Sequence, residues 1–261
     1  MLTIANTPCR SRLLLGTAQY PSLSILQEAV LASETDVITV SVRRQGESSK
    51  AFWQAIKAMS CHILPNTAGC LSAHQAVQTA QMAREIFETN WIKLEVIGDD
   101  YSLHPHCLEL ITAAEQLVKL GFEVLPYCTD DLVVCQKLVD VGCNILMPLA
   151  APIGSGLGIN NPYALSALRA RFPQQTLIVD AGIGKPSDAC IAMELGFDAV
   201  LLNTAVAQSP DPVRMARAFA QAIDAGAGAY QAGMIRPSST AKASTPLIDR
   251  PFWISESDYE R

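Results

Sequence analysis

The chain has 261 residues, 49% of them hydrophobic and 17% charged, with a formal net charge of −6. That apolar fraction excludes an intrinsically disordered chain, and the acid excess argues against a duplex nucleic-acid partner gripped through its phosphates. There is no apolar run of about 18 residues to span a membrane and no signal-peptide core at the N-terminus, so a cytoplasmic protein is expected.

Along the chain, short β-branched runs alternate with amphipathic stretches. The runs are Leu13–Ala18, Val37–Val42, His62–Thr67, Trp91–Ile97, Phe122–Cys128, Asn144–Leu149, Leu177–Gly182 and Ala199–Ala205. Helical periodicity covers Ser72–Glu88, Pro105–Leu120, Pro162–Arg171, Pro186–Leu195 and Pro212–Ala225. Gly121, Gly142, Gly196 and Gly226 read as helix stops. Eight strand–helix units in this length predict an α/β fold, a (β/α)8 TIM barrel over residues 1–226. A doubly wound open sheet is the competing topology, but GTAQYP after the first run is a poor glycine fingerprint. Residues 227–261 change to small polar residues and read as a C-terminal extension, expected to be partly flexible.

The eight cysteines show no C-x-x-C and no paired Cys/His spacing. A zinc site is therefore not expected, and small buried thiols in a reducing cytosol are the plain reading. His104-Pro105-His106 reads as a loop rather than a metal site.

In a barrel, chemistry belongs at the C-terminal ends of the strands. In WIKLEVI the polar Lys93 and Glu95 share one strand face, and apolar helices claim the other, so the pair is expected to point inward. Loss of solvation should lower the lysine pKa and free a nucleophilic amine, with Glu95 holding its charge or moving protons. An i,i+2 salt bridge on a half-exposed strand is the plainer account of the same pair. Asp180 closes the run LIVD ahead of Ala181-Gly182-Ile183-Gly184, and a helix starts near Pro186. Its free N–H groups, with Asn203-Thr204 at the next strand end, form a candidate phosphate corner; a simple turn is the alternative. The glycines of Ala151–Gly158 read as an oxyanion-binding or closing loop, or as a structural one. Asn66-Thr67-Ala68-Gly69 is equally ambiguous, and Arg43 and Arg44 face phosphate, solvent or a partner.

Several motifs recur together in one family: SRLLLGT at 11–17, LPNTAG at 64–69, NWIKLEVI at 90–97, GFEVLPYC at 121–128, MPLAAPIGSG at 147–156, VDAGIGKPSDA at 179–189 and AMELGFDAVLLNTAVA at 192–207. DPVRMARAFAQAIDAG at 211–226 completes the set, and the chain resembles the thiazole synthases over nearly the whole barrel. The resemblance implies a transferase in which Lys93 forms an imine with 1-deoxy-D-xylulose 5-phosphate. Sulfur comes from the C-terminal thiocarboxylate of a ubiquitin-like sulfur-carrier protein, dehydroglycine adds, and loss of water closes the thiazole phosphate of thiamine. It implies Glu95 and Asp180 as acid/base carboxylates, and Gly154, Ala181, Gly182, Asn203 and Thr204 as sugar-phosphate contacts. It also implies no metal or organic cofactor and a homotetramer.

The chain departs from the family pattern in two places. Ala18-Gln19 stands where Gly-Lys is usual, and Ala150 where a glycine is frequent. The first removes a positive charge, and the second stiffens a position that a glycine would leave free. Two other readings remain: a different Schiff-base sugar-phosphate barrel, of aldolase or pyridoxal phosphate synthase type, and a non-catalytic sugar-phosphate-binding barrel.

Overall fold

The computed structural model of the chain describes residues 2–42 and 49–242. Arg43, Arg44 and the segment 243–261 lie outside the described residues. The strands are β1 (Leu2–Ile4), β2 (Thr7–Cys9), β3 (Leu13–Gly16), β4 (Val37–Ser41), β5 (His62–Asn66), β6 (Trp91–Leu94), β7 (Glu123–Cys128), β8 (Ile145–Pro148), β9 (Thr176–Asp180) and β10 (Ala199–Leu202). The helices are α1 (Leu23–Ser33), α2 (Ser49–Ala58), α3 (Ala73–Phe87), α4 (Cys107–Lys119), α5 (Leu132–Asp140), α6 (Pro162–Arg171), α7 (Pro186–Glu194), α8 (Thr204–Ala207) and α9 (Pro212–Ala232). Among the described residues, β3 to β10 pair in sequence order, all parallel, and β10 closes on β3. With helices between them this is a (β/α)8 barrel. All eight sequence-predicted runs are strands, trimmed where the chain turns away from the ladder.

Alternation sorts the core into two layers. Leu13, Leu15, Ile38, Val40, Ile92, Leu94, Val124 and Leu177 face outward and pack under the helices. Leu14, Val37, Leu64, Trp91, Leu125, Ile145, Met147, Ile178, Ala199 and Leu201 fill the barrel interior. Burial of this kind is worth about 25 cal/mol per Å² of apolar area and dominates the stability of the fold. The interior is thus packed at its lower end and leaves polar inward positions only near the strand C-termini.

The sequence reading has no counterpart for β1 and β2. They form an antiparallel hairpin with Ile4 opposite Thr7, and Ala5 and Asn6 both take positive φ, 46° and 64°, as a two-residue hairpin turn requires. Leu2, Ile4 and Cys9 join the interior cluster, so the hairpin plugs the barrel at the end opposite the catalytic face.

Gly121, Gly142 and Gly196 take positive φ at helix ends, as expected of stops. Gly226 behaves differently. Helix α9 runs through it to Ala232, beyond the expected boundary at 226. The glycine is needed for close approach: a Cβ there would lie 2.4 Å from the carbonyl oxygen of Cys190 and 2.9 Å from Met193 Cβ on α7. Gly228, two residues further, has nothing within 4 Å. The two positions should therefore respond with opposite signs. Gly226→Ala should destabilise by about 1–3 kcal/mol through overpacking, and Gly228→Ala should stabilise by about 0.5–1 kcal/mol through helix propensity. Paired thermal melts check this; equal shifts in both variants would contradict the packing account.

Candidate active site

Strand β6 carries Trp91 and Lys93 on its inner face, and Glu95 follows on the same face just beyond the strand end. Asp180, the last residue of β9, points to the same place from another wall. Lys93 Nζ lies 2.5 Å from Asp180 Oδ2 and 3.5 Å from Glu95 Oε1. All three side chains are buried, Lys93 and Glu95 at 6% exposure and Asp180 at 3%. The Asp180 contact is the shorter of the two ion pairs, and Asp180 exerts the larger of the two charge effects on Lys93. The ring of Tyr127 sits 5.9 Å from Nζ and supplies a π face to the cation.

One cation and two carboxylates share this dry volume, and that decides their protonation. Burial penalises the Lys93 ammonium, but the negative charges of Asp180 and then Glu95 outweigh it and hold its pKa above the ordinary lysine value. The sequence-based expectation of a depressed lysine is thus corrected: desolvation acts as expected but loses to two counter-charges. Burial pushes Asp180 and Glu95 upward against the pull of Lys93, and the Asp180 charge raises Glu95 further. Raised carboxylates are stronger proton acceptors than ordinary ones, while the raised lysine holds its own proton more tightly.

Above this triad a cavity of about 550 Å³ opens at the strand C-termini. Its walls include every sequence-predicted site residue: Lys93, Glu95, Asp180, Gly154, Ala181, Gly182, Asn203 and Thr204. Ala181 and Gly182 both take positive φ, 68° and 78°. A left-handed alanine is uncommon, and here it turns the chain sharply after Asp180. Their carbonyls accept from Ala150 N–H at 3.4 Å and Gly158 N–H at 2.8 Å, which ties this turn to the glycine-rich loop after β8. Ala150 itself is not among the residues with positive φ, so a glycine's freedom is not required there.

One part of the expected phosphate corner is already occupied. The N–H groups of Gly184 and Lys185, ahead of α7, both donate to Asp188 Oδ2 at 3.1 Å, so they are not free for an anion. The open part of the corner lies around Gly154, Gly182 and Asn203-Thr204. Asn203 donates through Nδ2 to the Ala18 carbonyl at 3.1 Å, which fixes the amide orientation because a carbonyl can only accept. Its Oδ1 is then a buried acceptor with no hydrogen-bond partner. Gly16 makes room for this side chain, since a Cβ there would lie 2.5 Å from Asn203 Cβ.

Sequence reasoning passed over Thr39 and Ser41 on the inner face of β4 and Gln208 on the rim, which line the cavity together with Gln19, noted in the sequence as a departure from the family pattern. The alternation that picked out Lys93 also marks Thr39 and Ser41. Gln19, at φ 67°, accepts from Gln208 Nε2 at 2.8 Å and closes the seam between the first and last barrel units. His106 serves as a helix cap, its Nδ1 accepting from Glu109 N–H at 3.4 Å, and no group of ligands for a metal ion occurs among the described residues.

The family model described as thiazole biosynthesis protein ThiG matches residues 3–246. The chain belongs to the ThiG family. A thiazole synthase of Coxiella burnetii is 57% identical over 258 residues, covering 98% of this chain and all of that one. The thiazole synthase of Neisseria meningitidis is 54% identical over 259 residues, covering 98% and 99%. Among solved structures, the Amycolatopsis orientalis BexX/CysO complex superposes with a TM-score of 0.84 at 30% identity, covering 92% of this chain and 98% of that one. A native KDPGal structure, at 16% identity and a TM-score of 0.59, shares the fold alone. Membership in the ThiG family makes this chain a thiazole-forming transferase of thiamine thiazole synthesis. No helix among the described residues is long and apolar enough to cross a membrane.

Proposed function

We propose that the chain condenses 1-deoxy-D-xylulose 5-phosphate, sulfur from a carrier-protein thiocarboxylate, and dehydroglycine into the thiazole phosphate of thiamine. The observation that carries this reading is the buried Lys93 between two carboxylates at the foot of the cavity. Asp180, at 2.5 Å, takes the ammonium proton, and the freed amine adds to the ketone carbon of the sugar phosphate. The same carboxyl returns a proton as water leaves, giving the imine. Glu95 then moves protons as the imine isomerises and the neighbouring carbon becomes a carbonyl. The thiocarboxylate sulfur adds at that carbonyl. The carrier acyl group shifts from sulfur to the carbonyl oxygen as its C–S bond breaks, and it leaves as the carrier carboxylate. Dehydroglycine joins, and loss of water closes the ring and frees Lys93.

In this reading the phosphate lies against Gly154, Ala181, Gly182 and Thr204, and a sugar hydroxyl donates to the unpartnered Asn203 Oδ1. Solution of the BexX relative as a complex with CysO supports a protein partner here. A cytoplasmic homotetramer with no metal or organic cofactor belongs to the same proposal.

Reconstitution with the sugar phosphate, a thiocarboxylated carrier and a dehydroglycine source tests the reading, with thiazole phosphate detected by mass. Glu95→Gln and Asp180→Asn should lower turnover by about 10²–10⁴-fold, the span of positioned acid–base catalysis. Glu95→Gln should still form imine as the parent does, and Asp180→Asn should form it more slowly, because Asp180 carries the protons of that step. Normal turnover in either variant would remove that residue from the scheme, and a parent enzyme that forms imine but no thiazole would favour a different Schiff-base reaction.

A further inference from the structure

We propose that Thr67 is a positioning residue that holds Glu95 in reach of Lys93. The proposal rests on the reading of Glu95 as a proton carrier in the imine chemistry. Strand β6 ends at Leu94, one residue short of Glu95. Strands β5 and β6 share one register pair, Asn66 with Lys93, plus a bond from Thr67 N–H to the Lys93 carbonyl at 3.1 Å. After Thr67 the neighbouring chain turns away, with Cys70 N–H closing on the Thr67 carbonyl at 3.1 Å. The backbone of Glu95 therefore loses its ladder partner at the position where its side chain must be fixed.

The Thr67 side chain takes the place of that partner. Its hydroxyl donates to the Glu95 carbonyl at 2.7 Å and accepts from the Glu95 N–H at 2.8 Å. Thr67 is fully buried, so water cannot substitute, and branching at Cβ stiffens its side-chain torsion. Together with its backbone bond to Lys93, Thr67 grips the main chain of both Lys93, on β6, and Glu95, just beyond its end. It touches neither cavity nor reacting atom; it fixes where the Glu95 carboxyl stands, 3.5 Å from Nζ. This gives a role to the LPNTAG turn that neither the phosphate corner nor the imine requires.

Thr67→Val keeps the shape and removes both hydroxyl bonds. Turnover is measured per borohydride-trappable site with 1-deoxy-D-xylulose 5-phosphate, so that loss of folded protein does not count. The expected result is imine trapping equal to the parent and turnover per trapped site lower by about 10–100-fold, the scale of a small misplacement of a catalytic group. Thr67→Ser, which retains the hydroxyl, should restore turnover to within about threefold. In a Glu95→Gln background, Thr67→Val should cost nothing further, because coupled residues are not additive. If the valine variant does not accumulate folded, Thr67→Ala serves, with the same direction of effect and the same dependence on Glu95. Undiminished turnover per site in the variant used, or a loss that adds in full to that of Glu95→Gln, overturns the proposal and leaves Thr67 as a clamp for stability. Normal turnover in Glu95→Gln alone would instead overturn the reading of Glu95 on which the proposal stands.

Discussion

Lys93→Ala should abolish turnover, by at least about 10⁴-fold, while the barrel stays folded, because removal of a covalent nucleophile is not compensated by the groups left behind. The fold survives because the interior packing lies below the site and does not use Lys93. The electrostatic cost is nonetheless real. Removing the cation leaves Glu95 and Asp180 buried together, and breaking a buried pair this way costs about 3–5 kcal/mol if both stay charged. Proton uptake by one carboxyl reduces that cost. The sign with pH follows: carboxylates held above their unfolded values keep full stability below about pH 4 and lose it as pH rises through their raised folded values. The stability deficit of the variant against the parent should therefore grow from pH 4 to pH 8, as denaturant melts across that range would show. A deficit independent of pH, or a variant that does not fold at pH 5, would mark Lys93 as part of the structural core instead.

Gly182→Ala should give a large loss of stability at the cavity wall. Gly182 has φ +78°, and a Cβ there would fall 2.4 Å from both the Cβ and the backbone nitrogen of Ala151. The two walls cannot both stay in place. Backbone strain and overpacking together come to about 2–6 kcal/mol, or roughly 5–20 °C in Tm for a chain of this length. The displaced loops carry Gly154 and the Asp180 turn, so kcat/KM for the sugar phosphate should fall about 100-fold as well. Gly154→Ala is the stability control. Its φ is also positive, but the nearest atom to a new Cβ is Thr204 Oγ1 at 4.0 Å, so the strain of about 1 kcal/mol stands without a clash. Melts that do not separate the two variants would show that the Ala151 contact does not limit the turn.

How much of this was legible depended on the range of the interaction. Alternation within WIKLEVI sufficed to turn Lys93 and Glu95 inward, because facing is a local property of a strand. The strand-end rule then selected Asp180 and Asn203 once eight units were counted. What failed were quantities set by partners distant in the chain. The direction of the Lys93 shift depends on Asp180, which only barrel closure brings to 2.5 Å. One local contact was also missed: Asp188, only three and four residues on, turns back on the N–H groups ahead of α7. Gly226 carries the same letter as a helix stop, and only the approach of α7 shows its different use. The N-terminal hairpin went unread because each strand has three residues, too short for periodicity to speak.

The central claim is that Lys93 becomes covalently joined to the sugar phosphate. The most direct test is intact mass of the protein after incubation with 1-deoxy-D-xylulose 5-phosphate and borohydride, followed by peptide mapping. The expected result is one reduced adduct per chain, mapped to Lys93. Phosphate-ligand binding without any adduct, or an adduct on another lysine, would contradict the imine mechanism and return Lys93 to an electrostatic role between Glu95 and Asp180.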